Sequence, residues 1–208
     1  DSPAAVVSFE GQPEKLRACL RALASWVSPI IVAHHESDEG AKQIAEEFKA
    51  STLACSDLDT NSKWNSGVSQ VDKRWVLLIR SDEVVTGQLR KTIVEKLKNK
   101  EDTPCQYPLP LTMVFLKKRL KYPLDWHDAQ PSSLTCLSQN TKTLSKLPKK
   151  HASFDGELIR YGEDTLSDCE NTVVNKAEER ASRLAQNNPG SSLRSLFIRA
   201  LISSMKGF

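Results

Sequence analysis

W-V-L-L-I-R-S-D-E-V-V-T, running from Trp75 to Thr86, is the stretch from which the fold is read. Five apolar residues stand together from Trp75 to Ile79. Arg80, Ser81, Asp82 and Glu83 follow, then Val84 and Val85. A short, uniformly apolar run bounded by polar residues predicts a strand covered on both faces, as in a mostly parallel sheet. Open α/β sheets bind ligands beyond the carboxyl ends of such strands. Two readings of the acidic pair at that end stand side by side. Asp82 and Glu83 offer hard oxygen ligands for a divalent cation and, through it, a phosphate-bearing substrate. Alternatively, they sit in the first turn of a following helix, where Asp and Glu are favoured.

The pattern outward from this stretch alternates. Ala4 to Phe9 reads as a first strand, broken by Glu10-Gly11-Gln12-Pro13. Leu16, Cys19, Leu20 and Leu23 recur at helical spacing within Glu14 to Trp26, and Pro13 suits the first helical position. Ile30 to Ala33 is a second buried strand, and His34 to Gly40 a polar loop. Ala41 to Lys49 is a helix with Ile44, Ala45 and Phe48 facing inward, and Ser51 to Cys55 a third strand. After a loop from Asp57 to Ser62, Lys63 to Gln70 is helical. A helix from Gly87 to Lys98, with Leu89, Ile93, Val94 and Leu97 inside, closes a doubly wound half. Strand–helix units of about 25–30 residues imply parallel strands with right-handed crossovers.

Beyond residue 100 the texture changes. Tyr107 to Leu116, Lys121 to Trp126, Ser132 to Ser138 and Glu157 to Tyr161 read as extended segments punctuated by prolines. A charged helix is predicted over Asp164 to Gln186, and a last one over Ser191 to Met205. The last places Leu193, Leu196, Phe197, Ala200 and Leu201 on one stripe flanked by Arg194, Arg199 and Lys206. Such a basic amphipathic helix suits an anionic membrane surface, or packing on the domain or a partner chain.

Composition narrows the class. Hydrophobic residues at 39% and charged residues at 26% describe a globular chain rather than a disordered one. A net charge of +3, with no aromatic-interleaved basic motif, gives no footprint for nucleic acid. The basic clusters at Lys117 to Lys121 and Lys146 to Lys150 read as solvated faces or a rim for an anionic substrate. Five scattered cysteines without a C-x-x-C pair read as reduced cytoplasmic thiols. The chain begins without Met and ends at Met205-Lys206-Gly207-Phe208, as a piece of a longer protein would.

Several motifs fall in a recognisable order. Val6-Val7-Ser8-Phe9-Glu10 precedes Cys19-Leu20-Arg21-Ala22-Leu23, a C-L-x-x-L helix end. Ile30-Ile31-Val32-Ala33-His34 precedes Ser37-Asp38-Glu39-Gly40. Trp64-Asn65-Ser66-Gly67-Val68 and Trp75 to Glu83 follow, and Asp155-Gly156-Glu157-Leu158 leads to Asn175 to Arg180. This series resembles the family 2 glycosyltransferases of the GT-A fold, in particular the branch that adds sugars to the lipopolysaccharide core. The resemblance implies an α/β fold: a GT-A-like, doubly wound, mostly parallel sheet, a mixed α+β C-terminal half and a terminal helical segment. Residues 1–163 would be the glycosyltransferase domain, with 1–100 the nucleotide-binding half and 101–163 the acceptor half. Residues 164–208 would be a helical extension.

The implied activity is transfer of a sugar from a nucleotide-sugar to a cell-envelope glycan or glycolipid, in the cytoplasm and peripherally at the inner membrane. The alternative is a GT-A-like domain that has lost catalysis and serves as a binding or scaffolding module of a longer protein. Carried over residue by residue, the nucleotide site falls on Phe9, Glu10, His34, Asn65 and Arg80. Asp82 would be the metal ligand for Mn or Mg and lie near the diphosphate, and Glu157 would be the general base, with His151 as the other candidate. Trp126-His127-Asp128 would line an acceptor pocket or form a turn around a packed Trp. Three departures stand out: the family's second-strand Asp, which holds uridine, is His34; the first Asp of its D-x-D is Arg80; and an Arg near its R-L-F falls close to Thr135. His34-His35 would contact base or ribose, or form a solvated loop pair. At Arg80, a guanidinium matches diphosphate geometry where a carboxylate would have held a cation.

Overall fold

The computed structural model describes residues 2–56, 59–98, 101, 103–120, 131–138 and 144–165. These divide between two compact units, Asp1–Thr112 with Ala129–Tyr161, and Met113–Asp128 with Gly162–Phe208.

The first unit is built on a six-stranded sheet. Its strands are β1 (Ala4–Ser8), β2 (Ile30–His35), β3 (Ser51–Cys55), β4 (Trp75–Arg80), β6 (Cys105–Pro108) and β9 (Ser133–Cys136), in the order β3-β2-β1-β4-β9-β6. The first four are mutually parallel, and β9 runs antiparallel to both β4 and β6. The sheet is therefore mostly parallel, with Trp75–Arg80 in its interior. The short β5 (Glu83–Val85) pairs antiparallel with β10 (Leu158–Tyr161), Arg160 opposite Glu83.

The uniform apolarity of β4 has a direct cause. Leu77 and Ile79 pack with α1 (Pro13–Leu23), α2 (Glu39–Glu47) and α4 (Gly87–Leu97) on one face. Val76 and Leu78 pack on the other with Trp64 and Val68 of α3 (Thr60–Val68) and with Leu144 of a 3₁₀ turn, Leu144–Lys146. Alternate residues point to opposite faces, so two covered faces demand an unbroken apolar run. Trp64 is fully buried and its indole N–H donates to the Ile79 carbonyl, 3.0 Å. Gly67, one turn on, lets α3 approach β1, since a Cβ there would stand 2.3 Å from Val6 Cγ1.

Several local expectations are corrected. His34 and His35 end β2 instead of opening a polar loop, because β3 pairs alongside as far as Cys55. Asp82 and Glu83 do not begin a helix. Glu83 starts β5, and Thr86 caps α4 by accepting from Leu89 N–H at 3.3 Å. Val94 is 38% exposed, so the inner face of α4 is Leu89 and Ile93, with Leu97 partly buried. The segment 121–126 and the helices expected over 164–186 and 191–205 lie outside the described residues, apart from Asp164 and Thr165, which are not helical.

In the second unit, Val114 and Phe115 at the end of β7 (Leu111–Phe115) pair with Lys118 and Arg119 of β8. Leu116 and Lys117 make the turn at φ 48° and 63°. Gly162 N–H donates to the Val114 carbonyl, and Leu116 N–H to that of Glu163.

Candidate functional site

The carboxyl ends of β1 and β4 lie side by side, Ser8 opposite Arg80. The next residues of both strands are tied together: Ser81 N–H donates to the Ser8 carbonyl at 2.8 Å, and Glu10 N–H to Ser81 Oγ at 3.0 Å. Three carboxylates, Glu10, Asp82 and Glu83, collect there with Arg80. The Arg80 guanidinium clamps Asp82, Nε to Oδ1 and Nη2 to Oδ2, each 2.9 Å. Its Nη2 also lies 3.6 Å from Glu10 Oε2. Glu10 Oε1 accepts from Ser8 Oγ at 2.7 Å and Thr60 Oγ1 at 3.0 Å.

Glu83 is completely buried and fully used. Arg160 donates to its Oε1 from Nε (3.0 Å) and Nη2 (2.6 Å). Oε2 accepts from the Arg80 backbone N–H (2.8 Å) and Ser132 Oγ (2.6 Å). Tyr161 N–H donates to the Asp82 carbonyl. Glu83 thus fixes the backbone on which Arg80 and Asp82 are presented. Beside them, buried Lys63 donates to the Phe9 carbonyl at 2.7 Å.

Titration follows this pairing. Burial disfavours the Arg80 charge, yet Asp82 and Glu10, with help from Glu83, outweigh it and raise its pKa above the ordinary arginine value. Burial alone would push the Asp82 carboxyl up; Arg80, then Arg160 and Lys15, outweigh it and hold it below the usual range. Burial also pushes up the thiol of Cys19, which lies beneath the site 3.6 Å from the Arg80 carbonyl.

A divalent cation does not fit these residues. Both Asp82 oxygens are taken by a guanidinium, both Glu83 oxygens are spent on Arg160, Ser132 and backbone, and no metal-ligating cluster exists among the described residues. Arg80 would repel an incoming cation at roughly 4 Å by ~4 kcal/mol per unit charge at an effective dielectric of 20. Asp82, expected as a metal ligand from the D-x-D pattern, is in this structure the partner of Arg80.

The remaining candidates are dispersed. His34 is fully buried; its Nδ1 donates to the His35 carbonyl at 2.7 Å, leaving Nε2 without a hydrogen-bond partner. It is neither a solvated loop residue nor open to a nucleotide in this conformation. Asn65 donates to the Asn61 carbonyl and accepts from Leu144 N–H, so both its polar ends hold α3 in place. Phe9 is buried beside Glu10. Glu157 sits next to Thr86, whose N–H donates to its carbonyl, and its carboxylate accepts from Thr112 Oγ1. Tyr161 lies opposite Asp82 and Glu157 opposite Thr86 along one antiparallel pair, a separation of ~14 Å between Cα positions at about 3.4 Å per residue. His151 is exposed and without a role in the cluster; Trp126, His127 and Asp128 lie outside the described residues. Thr135 is buried in β9. An open cleft of about 420 Å³ between β3 and α3, lined by Glu36, Cys55, Ser66 and Gln70 among others, contains none of the cluster.

No family model matches the sequence, and no curated protein matches it either. Solved structures do. The S. aureus TarS 1–349 structure aligns over 99% of this chain and 71% of its own, at TM-score 0.54 and 12% identity. The chain has the GT-A glycosyltransferase fold. Glucosyl-3-phosphoglycerate synthase from Mycobacterium tuberculosis, in complex with Mn²⁺, UDP and glucosyl-3-phosphoglycerate, aligns over 53% of this chain at TM-score 0.44 and 12% identity. The GT-A chain described here spans 44% of that enzyme's length. Within the GT-A fold the Glu10–Arg80–Asp82 cluster occupies the carboxyl ends of the central parallel strands, where open α/β sheets bind ligands.

Proposed function

We propose that this GT-A domain is of glycosyltransferase type, taking a nucleotide-sugar at the carboxyl ends of β1, β2 and β4 and transferring the sugar to a cell-envelope glycan or glycolipid. The observation that carries this is the Glu10–Arg80–Asp82 cluster, partly exposed at the centre of a GT-A sheet. Ions so deeply placed are costly to bury and are common where a charged ligand is handled. Arg80 and Asp82 would face the diphosphate, with Glu10 on the nucleoside side. Glu157 would take the proton of the acceptor hydroxyl, and the displaced diphosphate would leave toward Arg80. The site of action would be the cytoplasmic face of the inner membrane, reached through residues 191–208, which lie outside the described part.

A second reading, a GT-A domain that has lost catalysis and serves as a binding or scaffolding module, is favoured by the Asp82 carboxylate clamped by Arg80 and by the buried His34. Glu157 lies four strand positions from the level of Asp82, ~14 Å between Cα positions at about 3.4 Å per residue, and its carboxylate accepts from Thr112. A base must come within hydrogen-bond reach of the proton it takes. The test is calorimetry with uridine, guanosine, cytidine and thymidine diphosphates, followed by product analysis with the corresponding sugar nucleotide. Binding of one diphosphate with transfer to lipopolysaccharide-type acceptors supports the enzyme. Binding with no turnover, or absence of all nucleotide binding, refutes the enzyme and supports the non-catalytic module.

A further inference from the structure

We propose that Arg80 is itself the cation of this site, so that a nucleoside diphosphate is held without any divalent metal. The proposal rests on the nucleotide-binding reading given above and adds what neutralises the phosphates. The departure from D-x-D is a charge replacement. Two carboxylates with a divalent ion sum to zero, and so do one guanidinium and one carboxylate. Exchanging the first Asp for Arg adds two positive charges, which is what the lost ion supplied.

Geometry supports the replacement at the level of atoms. The guanidinium is fixed by two hydrogen bonds to Asp82 and by Glu10 behind it, so its direction is set before any ligand arrives. Those bonds use Nε and Nη2. Nη1 hydrogen-bonds to none of the described residues, and the side chain keeps 17% of its surface exposed. A planar guanidinium with one edge anchored and a further donor available suits a phosphate oxygen. The surrounding charges permit it: Glu10, Asp82 and Glu83 are balanced by Arg80, Lys63 and Arg160, with Lys15 acting on Asp82 as well. An anion therefore enters a balanced site and not an acidic one. A metal, by contrast, finds no open carboxylate pair.

The experiment titrates UDP into wild type, Arg80→Gln and Arg80→Asp, each in EDTA and in Mn²⁺, with melting curves to confirm folding. Wild type is expected to bind equally in both buffers, within about twofold. Arg80→Gln should bind about 10- to 100-fold more weakly in both, the loss of one charge-assisted contact. Arg80→Asp should lose binding in EDTA and regain it in Mn²⁺. Should Arg80→Asp not fold, Arg80→Lys, which keeps the charge, should bind in EDTA better than Arg80→Gln. Tenfold tighter wild-type binding in Mn²⁺, or unchanged binding by Arg80→Gln, overturns the proposal. Silent wild type beside a Mn²⁺-dependent Arg80→Asp also overturns it, since Arg80 then blocks the site, yet leaves a nucleotide site standing. If no variant binds UDP or another nucleoside diphosphate in either buffer, the nucleotide reading falls with it.

Discussion

Glu83→Ala is expected to destabilise the fold by about 3–5 kcal/mol, the range for removing one partner of a buried ion pair. The carboxylate has no solvent exposure and accepts from four donors: Arg160 Nε and Nη2, Ser132 Oγ and the Arg80 N–H. Its loss leaves the Arg160 guanidinium buried at 8% exposure without its counter-charge. Urea denaturation should show a lower midpoint at an unchanged slope. Replacing both partners, Glu83→Leu with Arg160→Leu, should recover most of the loss, because an apolar pair avoids the desolvation cost. A Glu83→Ala loss below about 1 kcal/mol would show that Arg160 and Ser132 find other partners, and that Glu83 does not hold the Arg80 backbone.

Gly156→Ala should cost roughly 2–5 kcal/mol, combining left-handed backbone strain with overpacking. Gly156 has φ +90°, and a Cβ there would stand 2.3 Å from the Leu89 backbone nitrogen and 2.9 Å from Gln88 C. Backbone at the start of α4 cannot swing aside as a side-chain tip does. Gly11 provides the control: it has φ +84° with nothing within 4 Å, so Gly11→Ala should cost only the strain, about 1–2 kcal/mol. Equal losses at the two positions would contradict the steric part of the argument. Thermal melts of both variants decide it, and Gly156→Ala should also displace Glu157, its chain neighbour.

The residues differ in how much of this they showed in advance. Trp75 to Ile79 announced itself because a strand covered on both faces leaves no polar position, and the helices packed on each face require that. The alternation of units likewise gave the parallel order of the first four strands. The antiparallel insertion of β9 did not follow from Ser132 to Ser138, because strand partners separated by fifty-odd residues leave no local period. His34 departs from the polar loop expected there for a different reason. A histidine is read as polar, yet here its ring is buried at the end of β2 and bonds the next carbonyl. Val94 fell at the edge of the apolar stripe of α4, where spacing alone does not settle exposure.

At the site, Arg80 and Asp82 were visible as a departure from a familiar pattern, but their mutual clamp was not. Residues two apart on a strand end share a side of the chain, and a long guanidinium reaches back to the carboxylate. Arg160 does carry a signal in the sequence: a charged residue two positions from Leu158 in a strand shares its face and needs a buried counter-charge. Thr60 and Lys63 of α3, and Ser132 before β9, had none, because tertiary packing brings them to the cluster from elements distant in sequence.

The central claim is that Arg80, and no divalent ion, supplies the positive charge beside Asp82. Crystals of the wild-type protein grown with UDP and Mn²⁺, measured at the manganese absorption edge, test it most directly. The account predicts no anomalous peak within coordination distance of the Asp82 carboxylate, with Arg80 still clamped on both its oxygens. A manganese peak bonded to Asp82, with the Arg80 side chain turned away, would contradict it.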